Sequence, residues 1–387
     1  MKNKIIKLAF CLGIGIAFLS CSNKAINSDV PNKIYFDTDL SIKGYDLKDL
    51  IDSTVTIIPL ETNDQSLISA IEKIEIVDNC IYILDRLAQS IYIYNMEGKY
   101  IDKLSRRGQG PGEYANLSYM TVTDSTIIVI DHAVGKQIEY SRKTLAFLRD
   151  EHIFEKIWST EVFTLPGRIY YINDWSNSTS GKYRLVSKEV DSNELEKYLP
   201  FDRDPLTLGI GGPEYGISEN AASVIYSGDD IIYRVTKDGV SPAYEMVYKN
   251  DKVIYSSGRV ENVFKDNPEG RVLGIQSINE SGKYLFLEIV VTGNGNYTCI
   301  YDKQNSTTTI YDSPAINSYL DNEGVNIKRV INDQIINWQD APTLFVLKEH
   351  VYAKKEFKNQ KYKQQLDALF QDLTIESNPV LFLYNLK

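Results

Sequence analysis

The sequence predicts an all-β fold assembled from repeated four-stranded units, a β-propeller. Two observations carry that reading. Residues 70–112 hold four strand-like runs separated by turn residues, and the same unit returns 46 residues later. The runs are 71–77, 80–84, 90–94 and 99–104. Apolar and polar residues alternate in the first and third, as half-buried strands require. Asp78-Asn79 and Asn95-Met96-Glu97-Gly98 have the composition of hairpin turns. Four strands in about forty residues match the size of one propeller blade.

The repeat is legible residue by residue. Asp131 stands where Asp85 stood and Tyr140 where Tyr94 stood, each 46 positions later. A weaker third copy, Ile169 to Trp175, puts Asp174 in the place of Asp131. The loop from Arg107 to Tyr114 is echoed from Gly209 to Tyr215. Self-similarity at this period marks radial or stacked repeats. Blades are expected at 70–112, 117–150, 160–200, 214–250, 271–313 and 328–387. The strand at 54–61 would close the sixth and remove the raw sheet edge that an open ring presents. One helix is expected at 353–373, inserted in the last blade, with Phe357, Leu366, Leu369, Phe370 and Leu373 on one face.

The unit resembles an NHL-type blade: an Ile-Tyr-x-x-Asp strand, a second strand ending near Gly-Lys, then an Arg-Gly-x-Gly-x-Gly-x-Tyr loop. More closely, the chain is similar to the bacterial six-bladed β-propeller lipoproteins of unknown function. Ile57-Ile58-Pro59-Leu60-Glu61-Thr62 and the C-terminal Asn378-Pro379-Val380-Leu381-Phe382-Leu383-Tyr384 carry that resemblance, which spans roughly 53–387. It implies a six-bladed propeller and transfers no catalytic residue.

Residues 1–20 read as a lipoprotein signal peptide. Lys2, Lys4 and Lys7 form a basic start, and 8–19 is apolar but too short to span a bilayer comfortably. Phe18-Leu19-Ser20-Cys21 is a relaxed lipobox, so Cys21 is expected to carry lipid and 21–52 to act as a tether. The implied address is the outer membrane or cell surface of a bacterium, with the lipid as the membrane contact. Loss of the three leader lysines takes the net charge from −10 to −13. Such a chain lacks the basic footprint that nucleic acid requires. The remaining cysteines, Cys80 and Cys299, fall on strands of different repeats and read as apolar thiols, a disulfide being the alternative in an exported chain.

No motif announces chemistry. HExxH, CxxC, GxSxG and GxxxxGK[ST] are missing from the sequence, and the histidines are His132, His152 and His350. No cofactor, metal ligand or catalytic residue is expected. Glu72, Glu75 and Asp78 read as solvated strand charges. The glycines from Gly108 to Gly112 lie between strands, not at a helix start, so they read as a turn rather than a phosphate cradle. Arg86, His132 and Trp175 each follow one of the repeated aspartates. If the loop between second and third strands shares a face with the inter-blade loops, as the resemblance implies, these three ring the channel mouth. Arg106, Arg107, Glu113 and Tyr114 would approach from the first inter-blade loop, and Glu214 and Tyr215 from a later one. Such convergence has the composition of a ligand site. The expected innermost strands, 118–123 and 275–279, offer Thr, Ser, Gln and Asn rather than metal ligands. The expectation is therefore a non-catalytic envelope protein binding a protein partner or small solute at its top face. The alternatives are a metal-dependent lyase or lactonase and a structural envelope component.

Overall fold

The computed structural model describes residues 30, 32–153, 161–173, 183–192, 194–201, 214–226, 228–252, 269–293, 295–312 and 315–387. Alternating segments rich in Ile, Val and Tyr pair in chain order, so each blade is an antiparallel meander. Blade one contains Lys73–Val77, Cys80–Asp85, Ser90–Asn95 and Tyr100–Leu104. Blade two contains Tyr119–Val122, Thr126–Asp131, Lys136–Ser141 and Phe147–His152. Blade three contains Glu161–Leu165, Arg168–Ile172, Tyr183–Glu189 and Glu196–Pro200. Blade four contains Glu214–Ser218, Ala221–Ile225, Ile231–Thr236 and Gly239–Tyr248. Blade five contains Val272–Glu280, Tyr284–Val291, Gly295–Asp302 and Thr307–Tyr311. Blade six contains Arg329–Ile331, Gln334–Gln339, Val380–Asn385 and, returning from the start of the chain, Thr56–Pro59. The first strands of the blades face one another around a central axis. The protein is a six-bladed propeller.

The 46-residue repeat has a hydrogen-bonding cause. The Asp85 carboxylate is fully buried and accepts from Ser69 N and Ala70 N on one side and Ala88 N on the other. Asp131 accepts likewise from Ala115 N, Ala133 N and Val134 N. Each aspartate therefore clamps the incoming inter-blade loop to the turn after the second strand. Both kinds of loop lie on one face, hereafter the top. Tyr94 donates to Ser66 O at 2.9 Å and Tyr140 to Gly112 O at 2.8 Å, again tying the third strand to the incoming loop. Asp78 and Asn79 take φ of 47° and 58°, the left-handed pair that a tight hairpin needs. Asn332 and Asp333 repeat this in blade six.

Apolar burial is divided among the blade interfaces. Six cores lie between successive blades, such as Leu84, Leu104, Met120 and Val129 between one and two, or Leu287, Val291, Met246 and Ile232 between four and five. The last, between six and one, joins Ile58, Leu60, Ile336, Leu381 and Leu383 to Ile74, Ile81 and Ile83. Ile58 and Leu60 come from the N-terminal strand, and burial of each contributes roughly 1.5–3 kcal/mol. That strand pairs antiparallel with Val380–Asn385, Thr56 opposite Leu383 and Pro59 opposite Val380. Pro59 is tolerated because the strand is the outermost of its blade. Gly98 of blade one takes φ +78°, and a Cβ there would stand 2.2 Å from Pro59 O. The closing strand thus also seats against the blade-one turn.

The expected tether at 21–52 is corrected from residue 32 onward. Asn32–Phe36 adds a fifth, parallel strand to blade four, Asn32 opposite Tyr244 and Phe36 opposite Tyr248. Ile42 then bridges to Tyr311 of blade five, Asp46 to Ile316, and Ile51 to Leu386 beside blade six. The physical reason is apolar content: Ile34, Phe36, Leu47, Leu50, Ile51 and Val55 are all buried. Residues 32–55 are a strap around the rim of three blades. The signal peptide and Cys21 lie outside the described residues.

The expected helix is present in shorter form. The connection between second and third strands of blade six holds helices Ala341–His350 and Gln360–Asp372, capped by the side chains of Asp340 and Asn359. Tyr362, Leu366 and Leu369 are buried against the strap and the hairpin formed by Ala315–Asn317 and Glu323–Val325. Gln365 donates to Val55 O, and Tyr352 to Glu323. The helices sit over blades five and six, and among the described residues no helix residue lines any of the three cavities described below.

Closure gives a test. Deletion of residues 54–62 removes the outer strand of blade six and part of the sixth core, an expected loss above about 5 kcal/mol, beyond the range of point substitutions. Urea unfolding followed by tyrosine fluorescence should show an early or absent transition; a parental midpoint would place closure elsewhere.

Candidate functional site

The axis carries charge. Lys73, Tyr119, Glu161 and Glu214 open the first strands of blades one to four and occupy one register, opposite Leu84, Ile130, Ile172 and Ile225. With Glu72, Ser118, Tyr215, Lys328, Arg329 and Trp338 they line an upper axial cavity of about 250 Å³. A lower axial cavity of about 310 Å³ includes Glu75, Thr121, Thr164, Glu219, Glu280 and Asp333. Ile74, Tyr215 and Arg329 line both and form the waist between them. The two strands expected to be innermost, 118–123 and 275–279, carry no acidic residue, but Lys73–Val77, Glu161–Leu165 and Glu214–Ser218 bring Glu75, Glu161 and Glu214 to the axis.

Lys73 is the centre of this arrangement. Its ammonium lies 3.2 Å from Glu75 and 3.2 Å from Glu161 and donates to Met120 O at 2.7 Å and Val162 O at 3.0 Å. Burial pulls its pKa down, but Glu161, Tyr215 and Glu75 outweigh that and hold it above the ordinary lysine value. The Tyr215 ring lies between two cations, with Lys73 Nζ 5.3 Å and the Arg329 guanidinium 4.9 Å from its centroid. Burial lifts the Tyr215 phenol to about 12.

Glu214 differs from Glu75 and Glu161. It accepts no hydrogen bond from any described residue, and burial lifts its carboxyl to about 7 against the opposing pull of Arg329 and Lys73. Arg329 donates from Nη1 to Tyr215 O at 3.2 Å. Lys328 donates to Trp338 O at 2.7 Å and stands 4.5 Å from the indole centroid. Among the described residues, no three His, Cys, Asp or Glu side chains are grouped as a metal site requires.

The sequence-derived residues divide. Arg86 pairs with Glu72 at 2.9 Å, and His132 lies edge-on to Tyr119 at 6.4 Å; Glu72 and Tyr119 line the upper cavity, so both stand at its rim on the top face. Burial and the nearby Arg86 hold His132 below the usual histidine value, against Asp131. Trp175 lies outside the described residues. Register also places Asn173, not Asp174, at the position of Asp131, because Ile172 is the counterpart of Ile130. Arg106, Arg107, Glu113 and Tyr114 line no described cavity. Tyr114 is fully buried and donates to Gln89 O, while Arg106 N donates to its hydroxyl. Glu113 accepts from Gly110 N. These two hold the inter-blade turn. Glu214 and Tyr215 do reach the axis, from the first strand of blade four rather than from a loop.

Lys73, Glu161 and Arg329 were not singled out by the sequence, and Glu75, read there as a solvated strand charge, is instead paired with Lys73 at the axis. For Lys73 and Glu161, with Glu214, the signal was a charged residue at one register of the first strands, interrupted by Tyr119 in blade two. A family model described as a domain of unknown function, DUF4934, matches residues 35–385. The chain belongs to the DUF4934 family. Among solved structures, a Bacteroides fragilis protein inferred to be exported superposes with a TM-score of 0.69 at 18% identity, over 92% of this chain and 99% of that one. A DUF4221 member from Bacteroides vulgatus gives 0.51 at 11% identity, over 87% and 98%. Both likenesses concern the fold. No curated protein matches the chain.

Glu214 gives a pH test. Its native pKa is raised, so its contribution to stability is fully present below about 4.5 and is lost as pH rises through about 7. Glu214→Gln should therefore gain stability relative to the parent between pH 5 and pH 8, by about 2–3 kcal/mol. Urea melts at the two pH values measure this; a pH-independent difference would show an ordinary carboxyl.

Proposed function

We propose that this DUF4934 protein is an exported, lipid-anchored and non-catalytic binding protein that takes a small anionic solute into its upper axial cavity. The observation that carries the reading is the charge balance at that site. Lys73 is compensated by Glu75 and Glu161, and Arg86 by Glu72. Arg329 and Lys328 remain, set against Glu214, which ionises only near 7. Counting Lys73, Arg86, Lys328 and Arg329 against Glu72, Glu75 and Glu161, the site carries one net positive charge when Glu214 is neutral and none when it is ionised, in a chain that is acidic as a whole. A metal-dependent lyase or lactonase has less support, because the Lys73 ammonium stands among the oxygens that would hold the metal.

Calorimetry with glutarate and inorganic phosphate tests the site. Binding should tighten from pH 8 to pH 6 as Glu214 is neutralised, and Arg329→Gln should abolish it. Equal binding by the parent and the variant, or no binding of either anion, would remove the reading.

The address has its own support. The leader ends in a lipobox-like Ser20-Cys21, and among the described residues no helix is long and apolar enough to cross a membrane. The similar B. fragilis protein is also taken to be exported. Cys21→Ser should move the protein from the membrane fraction to the soluble fraction of the producing cell, because the lipid is the proposed apolar tether. Retention of the variant in washed membranes would defeat the anchor.

A further inference from the structure

The largest of the three cavities lies between blades five and six. It measures about 500 Å³, within the range of small-molecule sites. The blade-five face that looks toward blade six changes character along its length. At the bottom it is apolar: Tyr284, Phe286 and Ile300 belong to the core shared with blade six. Toward the top, the cross-strand row Ser277, Glu288, Thr298 and Tyr311 takes over, with Asn296 beside it. The opposite face of the same sheet packs Leu285, Leu287, Ile289, Cys299 and Ile310 against blade four, with the buried Glu280 paired to Arg234 at one end. Polar side chains at positions where the other face packs a core are a departure from binary patterning, and such departures concentrate at functional sites.

One group in this cavity lacks what burial demands. Asp312 Oδ1 is buried and has no hydrogen-bond partner among the described residues. A buried carboxylate oxygen without a donor is costly, so its natural complement is a donor brought by a ligand. Glu288 supplies a second carboxylate, already oriented by Asn296 and Ser277. The cation in the lining, Lys328, is turned to Trp338 O and the indole face. The rest of the wall is mostly apolar, with Phe286, Leu287, Ala315, Val325, Ile327 and Trp338 beside Asn279 and Asn326.

We infer that the cavity between blades five and six is a second binding site, for a small molecule carrying a protonated amine on an apolar stem, with Asp312 receiving the ammonium. The site does not rest on the anion reading of the upper axial cavity, although Lys328 and Trp338 form a wall common to both.

The test uses phenethylamine, tyramine and cadaverine as probes, with 2-phenylethanol and glucose as uncharged controls, by calorimetry at pH 7. At least one amine should bind about tenfold or more tightly than 2-phenylethanol, the increment of a charge-assisted hydrogen bond. Asp312→Asn should remove that preference while leaving the ligand-free melting temperature unchanged or higher, since no native partner is lost. Arg329→Gln should leave amine binding intact. Failure of all three amines, equal binding of 2-phenylethanol, or preferential binding of glucose overturns the inference. So does a lower melting temperature of ligand-free Asp312→Asn, which would make the carboxylate structural.

Discussion

The sixth inter-blade core is the interaction on which the remainder depends. A propeller blade has two apolar faces and cannot bury both unless it has a neighbour on each side. Five of the six cores join blades that follow one another along the chain, two of them with strap residues added. The sixth joins Ile58 and Leu60 to residues of blades one and six, and it exists only when Thr56–Pro59 lies against Val380–Asn385. Asn378 reinforces the seam, donating to Glu61 O and Ser66 O while accepting from Ile68 N. Stability of the ring is therefore shared: opening one seam exposes two blade faces at once.

At the axis the constraint is electrostatic. First strands converge where side chains have little room and limited access to water, and a charge placed there must be answered by another. Lys73 is answered by two carboxylates and two carbonyls. A buried ion pair of this kind is weak evidence for net stability, since dehydration offsets most of the attraction. Its consequence is positional. The ammonium fixes the first strands of blades one, two and three relative to each other, and leaves Glu214 and Arg329 as the groups whose charge is free to answer a ligand.

The blades were legible in the sequence because the same buried Asp and Tyr perform the same hydrogen bonding in successive units, at constant spacing. Third-blade divergence blurred the register by one residue, since an asparagine, Asn173, occupies the aspartate position. The strap was missed because its apolar residues are spread singly among polar ones, the pattern of a linker until partners from three blades are supplied. The axial charges were missed for a different reason. Glu75 on an alternating strand looks solvated, and only ring closure turns that side of the strand toward Lys73 and Glu161. Glu288 posed the same difficulty: within Tyr284–Val291 one carboxylate is outvoted by its apolar neighbours, and its meaning depends on which blade face it occupies. Of the residues proposed for the mouth, Arg86, His132, Glu214 and Tyr215 are at or near the cavity, whereas Glu113 and Tyr114 proved to be turn supports.

The strap sets the order in which the chain can complete itself. Thr38 and its partner Asn250 are 212 residues apart, and Thr62 and Asn378 are 316 apart. The strap and the closing strand therefore find their partners only in the second half of the chain, in blades four, five and six. Loop-closure entropy rises only slowly with such lengths, so the delay is one of timing more than of equilibrium cost. Without Val380–Asn385 the strand Thr56–Pro59 has no partner and the ring is unsealed. The C-terminal strand then acts as the completion signal, converting a string of provisional blades into one cooperative unit.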